Sequence, residues 1–185
     1  MPDIPPDRRK LLVNVSSNKF SSHPKELYTA RRRTIRYFEK HHPDQFDLYG
    51  TGWNQPNAEQ ASYLSYRGIV KHKWDVFPRY RFGLCYENMR DAPGYVTEKI
   101  FDCMRAGCVP IYWGAPNIPD FVDAEAFIDR RTFTSDAELA ERLLAITERE
   151  YGHYRRAIQQ YLHSDRVKAF LPEAFADNLI RVLSL

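Results

Sequence analysis

Long apolar runs are missing from this 185-residue sequence. No stretch approaches the roughly 20 residues that cross a bilayer as a helix. The first ten residues, MPDIPPDRRK, hold no apolar segment and do not read as a secretory leader. Residues 1–9 read instead as a linker or boundary segment. Cysteine is scarce: Cys85, Cys103 and Cys108 are odd in number and lack C-x-x-C spacing. That argues against a disulfide framework or a thiolate metal site, and for small buried thiols in a reducing compartment. There is no G-x-G-x-x-G, no G-x-x-x-x-G-K-[ST] and no G-x-S-x-G. Common dinucleotide sites, P-loops and nucleophile elbows are thereby excluded as sequence matches. The six histidines include no i, i+4 pair like that of a zinc helix, His41 and His42 being adjacent. No metal ligand set is assigned, and a need for a divalent ion is left open. No repeat of fixed period is present.

What is present is an ordinary globular composition, 43% hydrophobic and 28% charged, which excludes a disordered chain. The net charge of +3 is unevenly placed. Residues 1–81 carry 15 Lys+Arg against 8 Asp+Glu (+7), and residues 82–185 carry 12 against 16 (−4). An anionic partner suits the first part better, although a solvated basic face gives the same count.

Apolar runs alternate with helical patterns along the whole chain. Strands are predicted at Leu11–Val15, Phe46–Tyr49, Phe82–Tyr86, Cys108–Trp113 and Ala126–Asp129. Helices are predicted at Pro24–His42, after Thr97, after Ser135 with a capping-box spacing to Glu138, at Glu150–His163 and at Glu173–Leu183. A further short helix is predicted at Tyr66–Trp74, and 53–66 carry no clear pattern. Leu27, Ala30, Ile35, Tyr37 and Phe38 are candidates for the buried side of the first helix. Ile100, Cys103, Met104 and Gly107 are candidates for the buried side of the helix after Thr97. This alternation predicts a Rossmann-like α/β sandwich with a mostly parallel sheet. Residues 10–165 form the domain and 166–185 a helical extension.

The segment Arg81–Gly114 reads as strand, loop, helix and strand. Ligands of such sheets sit beyond the carboxyl ends of the strands. There the sequence puts Glu87, Asn88, Tyr95, Glu98 and Lys99. Glu98 and Lys99 open a helix, where free N–H groups and the dipole favour an anion. Lys99 suits a phosphate and Glu98 suits hydroxyl donors; an ordinary exposed first turn is the competing reading. Arg31-Arg32-Arg33 points in three directions from one helix, so one or two reach the sheet edge and the rest face solvent. An arginine there meets a phosphate with its planar fork. Trp113-Gly114 reads as a turn whose glycine leaves room for a ligand.

YRFGLCYEN and GYVTEKIFDCMRAGCVPIYWGAPNIPDF together resemble the donor-binding part of the α-1,3/4-fucosyltransferases, glycosyltransferase family 10. The resemblance is sharpest from Phe82 to Phe121 and extends back to Val15–Asn18 and forward to Tyr161. It implies one half of a GT-B architecture and GDP-fucose as donor, with no tightly bound cofactor. It implies that Lys99 and one arginine, with the spacing favouring Arg31, neutralise the diphosphate. Asn88 and Glu98 would hold the sugar, and Tyr95 and Glu87 would complete the donor pocket. Transfer in the family inverts the anomeric centre, and the general base, a carboxylate, comes from a preceding acceptor domain. The glycan acceptor and the base are therefore expected outside this chain. Cytoplasmic, membrane-associated or Golgi settings would all suit such an enzyme. Another nucleotide sugar is the alternative donor. Nucleic-acid binding through Arg31–Arg33 and Arg36 is a further alternative, and it leaves the Tyr95–Lys99 helix start without a role.

Overall fold

The computed structural model describes residues 9–55 and 62–183. Five strands form one sheet: β1 (Lys10–Val15), β2 (Phe46–Tyr49), β3 (Tyr80–Tyr86), β4 (Val109–Trp113) and β5 (Ile128–Asp129). All four pairings are parallel and the order is β2-β1-β3-β4-β5. Helices α1 (Tyr28–His41), α2 (Glu98–Arg105), α3 (Asp136–Ala145), α4 (Glu148–Leu162) and α5 (Pro172–Leu183) complete the fold. The chain leaves β1 toward β2, then returns to place β3 on the other side of β1. Right-handed crossovers running outward in opposite directions put α1 and α2 on opposite faces of the sheet. The predicted α/β class and parallel sheet are what forms.

The central strands are buried along almost their whole length, as parallel strands covered on both faces must be. Ile35 and Phe38 of α1 press on one face, and Ile100, Phe101, Cys103 and Met104 of α2 on the other. Ala30 and Tyr37 are only half-buried, because Arg31 and Thr34 occupy that part of the α1 stripe. Gly107 takes φ +78° where α2 ends, a left-handed turn that glycine adopts without strain. Its carbonyl accepts from Arg9, which also donates to the Tyr151 hydroxyl and is buried. Arg9 is thus fastened to the domain; the rest of the predicted linker, 1–8, lies outside the described residues.

Tyr66–Trp74 is not a helix. Residues 65–68 run alongside the open edge of β2, with Leu48 N–H donating to Ser65 O and Arg67 N–H to Leu48 O. An unpaired strand edge satisfies those backbone groups better than a short isolated helix would. Asp47 pins the segment by accepting from Arg67 at 2.7 Å. Only a single 3-10 turn forms, at Lys73–Asp75. Within the predicted extension, Val167 is buried and Phe170 packs on Phe101, whereas α5 exposes Leu179, Ile180, Val182 and Leu183. No helix among the described residues is long and apolar enough to cross a membrane.

Candidate functional site

With this strand order the chain reverses direction between β1 and β3, and a crevice opens at their carboxyl ends. A cleft of about 330 Å³ lies there. The end of β1 supplies Val15, Ser16 and Ser17; α1 supplies Tyr28 and Arg31; the exit of β3 supplies Asn88; and the start of α2 supplies Thr97, Glu98 and Lys99. Lys19 and Lys73 complete the wall. The floor is fixed by the loop after β2: a Cβ on Gly50 (φ +126°) would sit 2.0 Å from Ser16 O.

Arg31 is buried, and its Nη2 donates to the carbonyls of Tyr86 (2.6 Å) and Glu87 (3.0 Å). No carboxylate among the described residues lies within ion-pair distance of it. Burial pulls the guanidinium down from its ordinary value, opposed by Tyr28 and Glu87. The cleft therefore holds a buried cation met by two carbonyls and the Tyr28 ring, with no carboxylate at ion-pair distance, an arrangement that favours an entering anion. Arg32 turns away to Lys19 O and stacks over Phe20, and Arg33 faces Asp136. Of the three arginines, Arg31 is the one in the cleft. It shares one helical stripe with Thr34, Ile35 and Phe38, although the predicted buried side does not include it and only the resemblance favours it.

Glu87 is fully buried, behind the cleft wall and not on it. Its Oε1 accepts from Thr97 N–H at 2.8 Å. Its Oε2 accepts from the Thr97 hydroxyl at 2.7 Å and from Lys99 Nζ at 3.0 Å. Glu87 thus sets the entry of α2 and aims Lys99, with no oxygen left facing a ligand. Thr97 stands at the N-cap, yet its side chain makes no cap bond, since Glu87 has taken it. The space over Gly114 is also used by Glu87: an added Cβ would meet its Cγ at 2.4 Å. That glycine makes room for a side chain of the fold, against the expectation of a ligand.

Glu98 is 63% exposed at the cleft mouth and pairs with Lys73 Nζ at 3.3 Å. Partial burial pushes its carboxyl up, but Lys73 and Lys99 outweigh this and hold it below the usual range. Asn88 lines the cleft, and its amide donates to the Tyr95 hydroxyl at 3.2 Å. Tyr95 stands behind Asn88, outside the cleft lining. Arg31, Asn88, Glu98 and Lys99 are thus brought together, with Glu87 and Tyr95 in support. Lys73 and Tyr28 were not anticipated. Lys73 falls inside the predicted Tyr66–Trp74 helix, which does not form, and its place depends on how 65–79 crosses the sheet edge. Among the described residues no cluster of His, Cys, Asp and Glu is arranged to hold a metal.

The sequence profile described as glycosyltransferase family 10 (fucosyltransferase), C-terminal part, matches residues 5–170. The chain belongs to glycosyltransferase family 10. It is 48% identical over 84 residues to an α-(1,4)-fucosyltransferase of Arabidopsis thaliana, covering 45% of this chain and 19% of that protein. It is 31% identical over 125 residues to a 3-galactosyl-N-acetylglucosaminide 4-α-L-fucosyltransferase of Bos taurus, 65% of this chain and 30% of that one. The solved α1,3-fucosyltransferase with GDP superposes with TM-score 0.57 at 25% identity, covering 89% of this chain and 41% of that one. The family 10 chain described here therefore spans less than half the length of these relatives. The single parallel sheet is the α/β fold of one half of a GT-B architecture, as the resemblance implies.

Proposed function

We propose that this chain is the donor-binding part of an inverting fucosyltransferase and takes GDP-fucose in the β1/β3 cleft. The observation that carries this is the buried, carboxylate-free guanidinium of Arg31 beside Lys99 at the start of α2, in a family 10 chain. Relatives named as fucosyltransferases, and a solved neighbour named with GDP-fucose, support the choice of donor. Lys99 and Arg31 meet the diphosphate, Asn88 and Glu98 meet the sugar hydroxyls, and Tyr95 steadies the Asn88 amide.

The acceptor oxygen attacks the anomeric carbon while the bond to GDP breaks, and the electron pair leaves with the diphosphate. Negative charge grows there in the transition state, so Arg31 and Lys99 stabilise it more than the ground state. The acceptor proton goes to a carboxylate base contributed by residues beyond the aligned donor part.

Calorimetric titration with GDP tests the reading. Saturable binding is expected, weakened ~10–100-fold by Lys99→Ala, as for a charged hydrogen bond. No heat at millimolar GDP would reject the donor reading. GDP-fucose is expected to bind better than GDP-mannose or UDP, which separates it from a site for another nucleotide sugar.

A further inference from the structure

Four cations line the cleft; Lys19 is exposed, and the three inner ones, which are buried or half-buried, are each held differently. Lys99 is matched by the fully buried Glu87 at 3.0 Å. Arg31 meets two carbonyls and the Tyr28 ring, with no carboxylate at ion-pair distance. Lys73 reaches in from the 3-10 turn before β3 and bridges two acids of α2. Those acids, Glu98 and Asp102, are four residues apart and so share one helix face. Their grips are unequal. Asp102 accepts at 2.8 Å and its side chain is 21% exposed, whereas Glu98 accepts at 3.3 Å and is 63% exposed. A diphosphate brings more than one negative charge, and Arg31 is the single inner cation without a carboxylate. The Lys73–Glu98 contact is the weakest of these ties and the nearest to solvent.

We infer that Lys73 is a phosphate-binding residue of the cleft, and that its ammonium exchanges Glu98 for the ligand's phosphate while Asp102 keeps hold of it. The inference rests on the donor-site reading and adds to it a residue and a movement. Asp102 acts as a tether: it keeps the ammonium beside α2, so the exchange needs only a rotation of the lysine tip. The same exchange releases Glu98, whose carboxylate then accepts from sugar hydroxyls. One displacement thus supplies a cation to the phosphate and an acceptor to the sugar. It also makes the sugar contact depend on phosphate occupancy. A bare sugar has nothing with which to draw Lys73 away.

The test is titration of the chain with GDP, inorganic pyrophosphate and guanosine, using Lys73→Met and Glu98→Gln. Lys73→Met is expected to weaken GDP and pyrophosphate ~10–100-fold and to leave guanosine unchanged. Glu98→Gln removes the competing carboxylate, so GDP and pyrophosphate are expected to tighten by about 3–10-fold. GDP-fucose is expected to lose its advantage over GDP in the same variant. A gain in affinity cannot come from misfolding, so Glu98→Gln decides the matter even where Lys73→Met is unstable. Pyrophosphate binding that is equal in wild type and folded Lys73→Met, or weaker GDP binding by Glu98→Gln, would overturn the inference while leaving the donor reading standing. Lys73-dependent pyrophosphate binding with no preference for GDP would uphold the inference and remove the donor reading. Binding of neither ligand by the wild type removes both.

Discussion

At Glu87 a carboxylate is withdrawn from water entirely, and its two oxygens meet three donors from Thr97 and Lys99. Removing it leaves the Lys99 ammonium, 20% exposed, with only the Thr97 hydroxyl and no carboxylate, and the Thr97 N–H without an acceptor. Glu87→Ala is therefore expected to lower stability by about 3 kcal/mol, the low end for breaking a buried pair. Urea unfolding would show this as a drop in midpoint, and an unchanged midpoint would contradict the role. Gly114→Ala attacks the same point from outside, since its Cβ would lie 2.4 Å from Glu87 Cγ and 2.5 Å from Tyr112 Oη. Overpacking of this kind costs roughly 1–3 kcal/mol. A loss of GDP affinity alongside that cost would show that the displaced Glu87 also misdirects Lys99. Arg31→Lys is not conservative here, because one ammonium cannot reproduce the planar fork that serves two carbonyls and faces a ligand.

At the scale of elements, helix ends are handled in two ways. At α4 the Thr147 hydroxyl accepts from Glu150 N–H, and the Glu150 carboxylate accepts from Thr147 N–H and hydroxyl. At α3, Ser135 accepts from Glu138 N–H, but Glu138 reaches past it to Thr134. The box predicted there is half-formed, and the complete one lies a helix later. Thr147→Ala is expected to cost about 1 kcal/mol, read by thermal unfolding. The backbone and hydroxyl bonds from Thr147 hold the Glu150 carboxyl below its ordinary value. A carboxyl lowered on folding adds stability above its unfolded pKa of about 4.3, and that stability is lost as pH falls through the folded value. The Thr147→Ala penalty should therefore shrink below pH ~4 without vanishing, since the bond from Glu150 N–H does not titrate. At α2 the cap position is used otherwise: Thr97 gives its hydroxyl to Glu87, and the first turn receives no cap bond from it.

At the scale of the whole molecule, strand order β2-β1-β3-β4-β5 makes one crevice and decides which loops meet in it. The structural likeness covers 41% of the solved α1,3-fucosyltransferase with GDP. On the proposed donor reading, this chain is expected to bind GDP-fucose and to transfer fucose only together with a carboxylate base from outside these residues. Transfer by this chain alone at an ordinary enzymatic rate would place the base among these residues. The sequence by itself determined the α/β class, the strands and the start of α2 after Thr97, because alternation, periodicity and helix capping are local properties. The α1 stripe of Arg31, Thr34, Ile35 and Phe38 displaces the predicted Ala30 and Tyr37, because a buried polar pair is not expected on that face, and Arg31 is favoured by the resemblance alone. Only the tertiary structure decided the rest. Glu87 became an internal tie because β3, β4 and the entry of α2 converge on it. The stretch before β3 became an edge segment because β2 offered open hydrogen bonds. Lys73 joined the cleft because that segment crosses to α2. Each of these depends on groups far apart in the chain competing for the same partners, and no local pattern records the outcome of that competition.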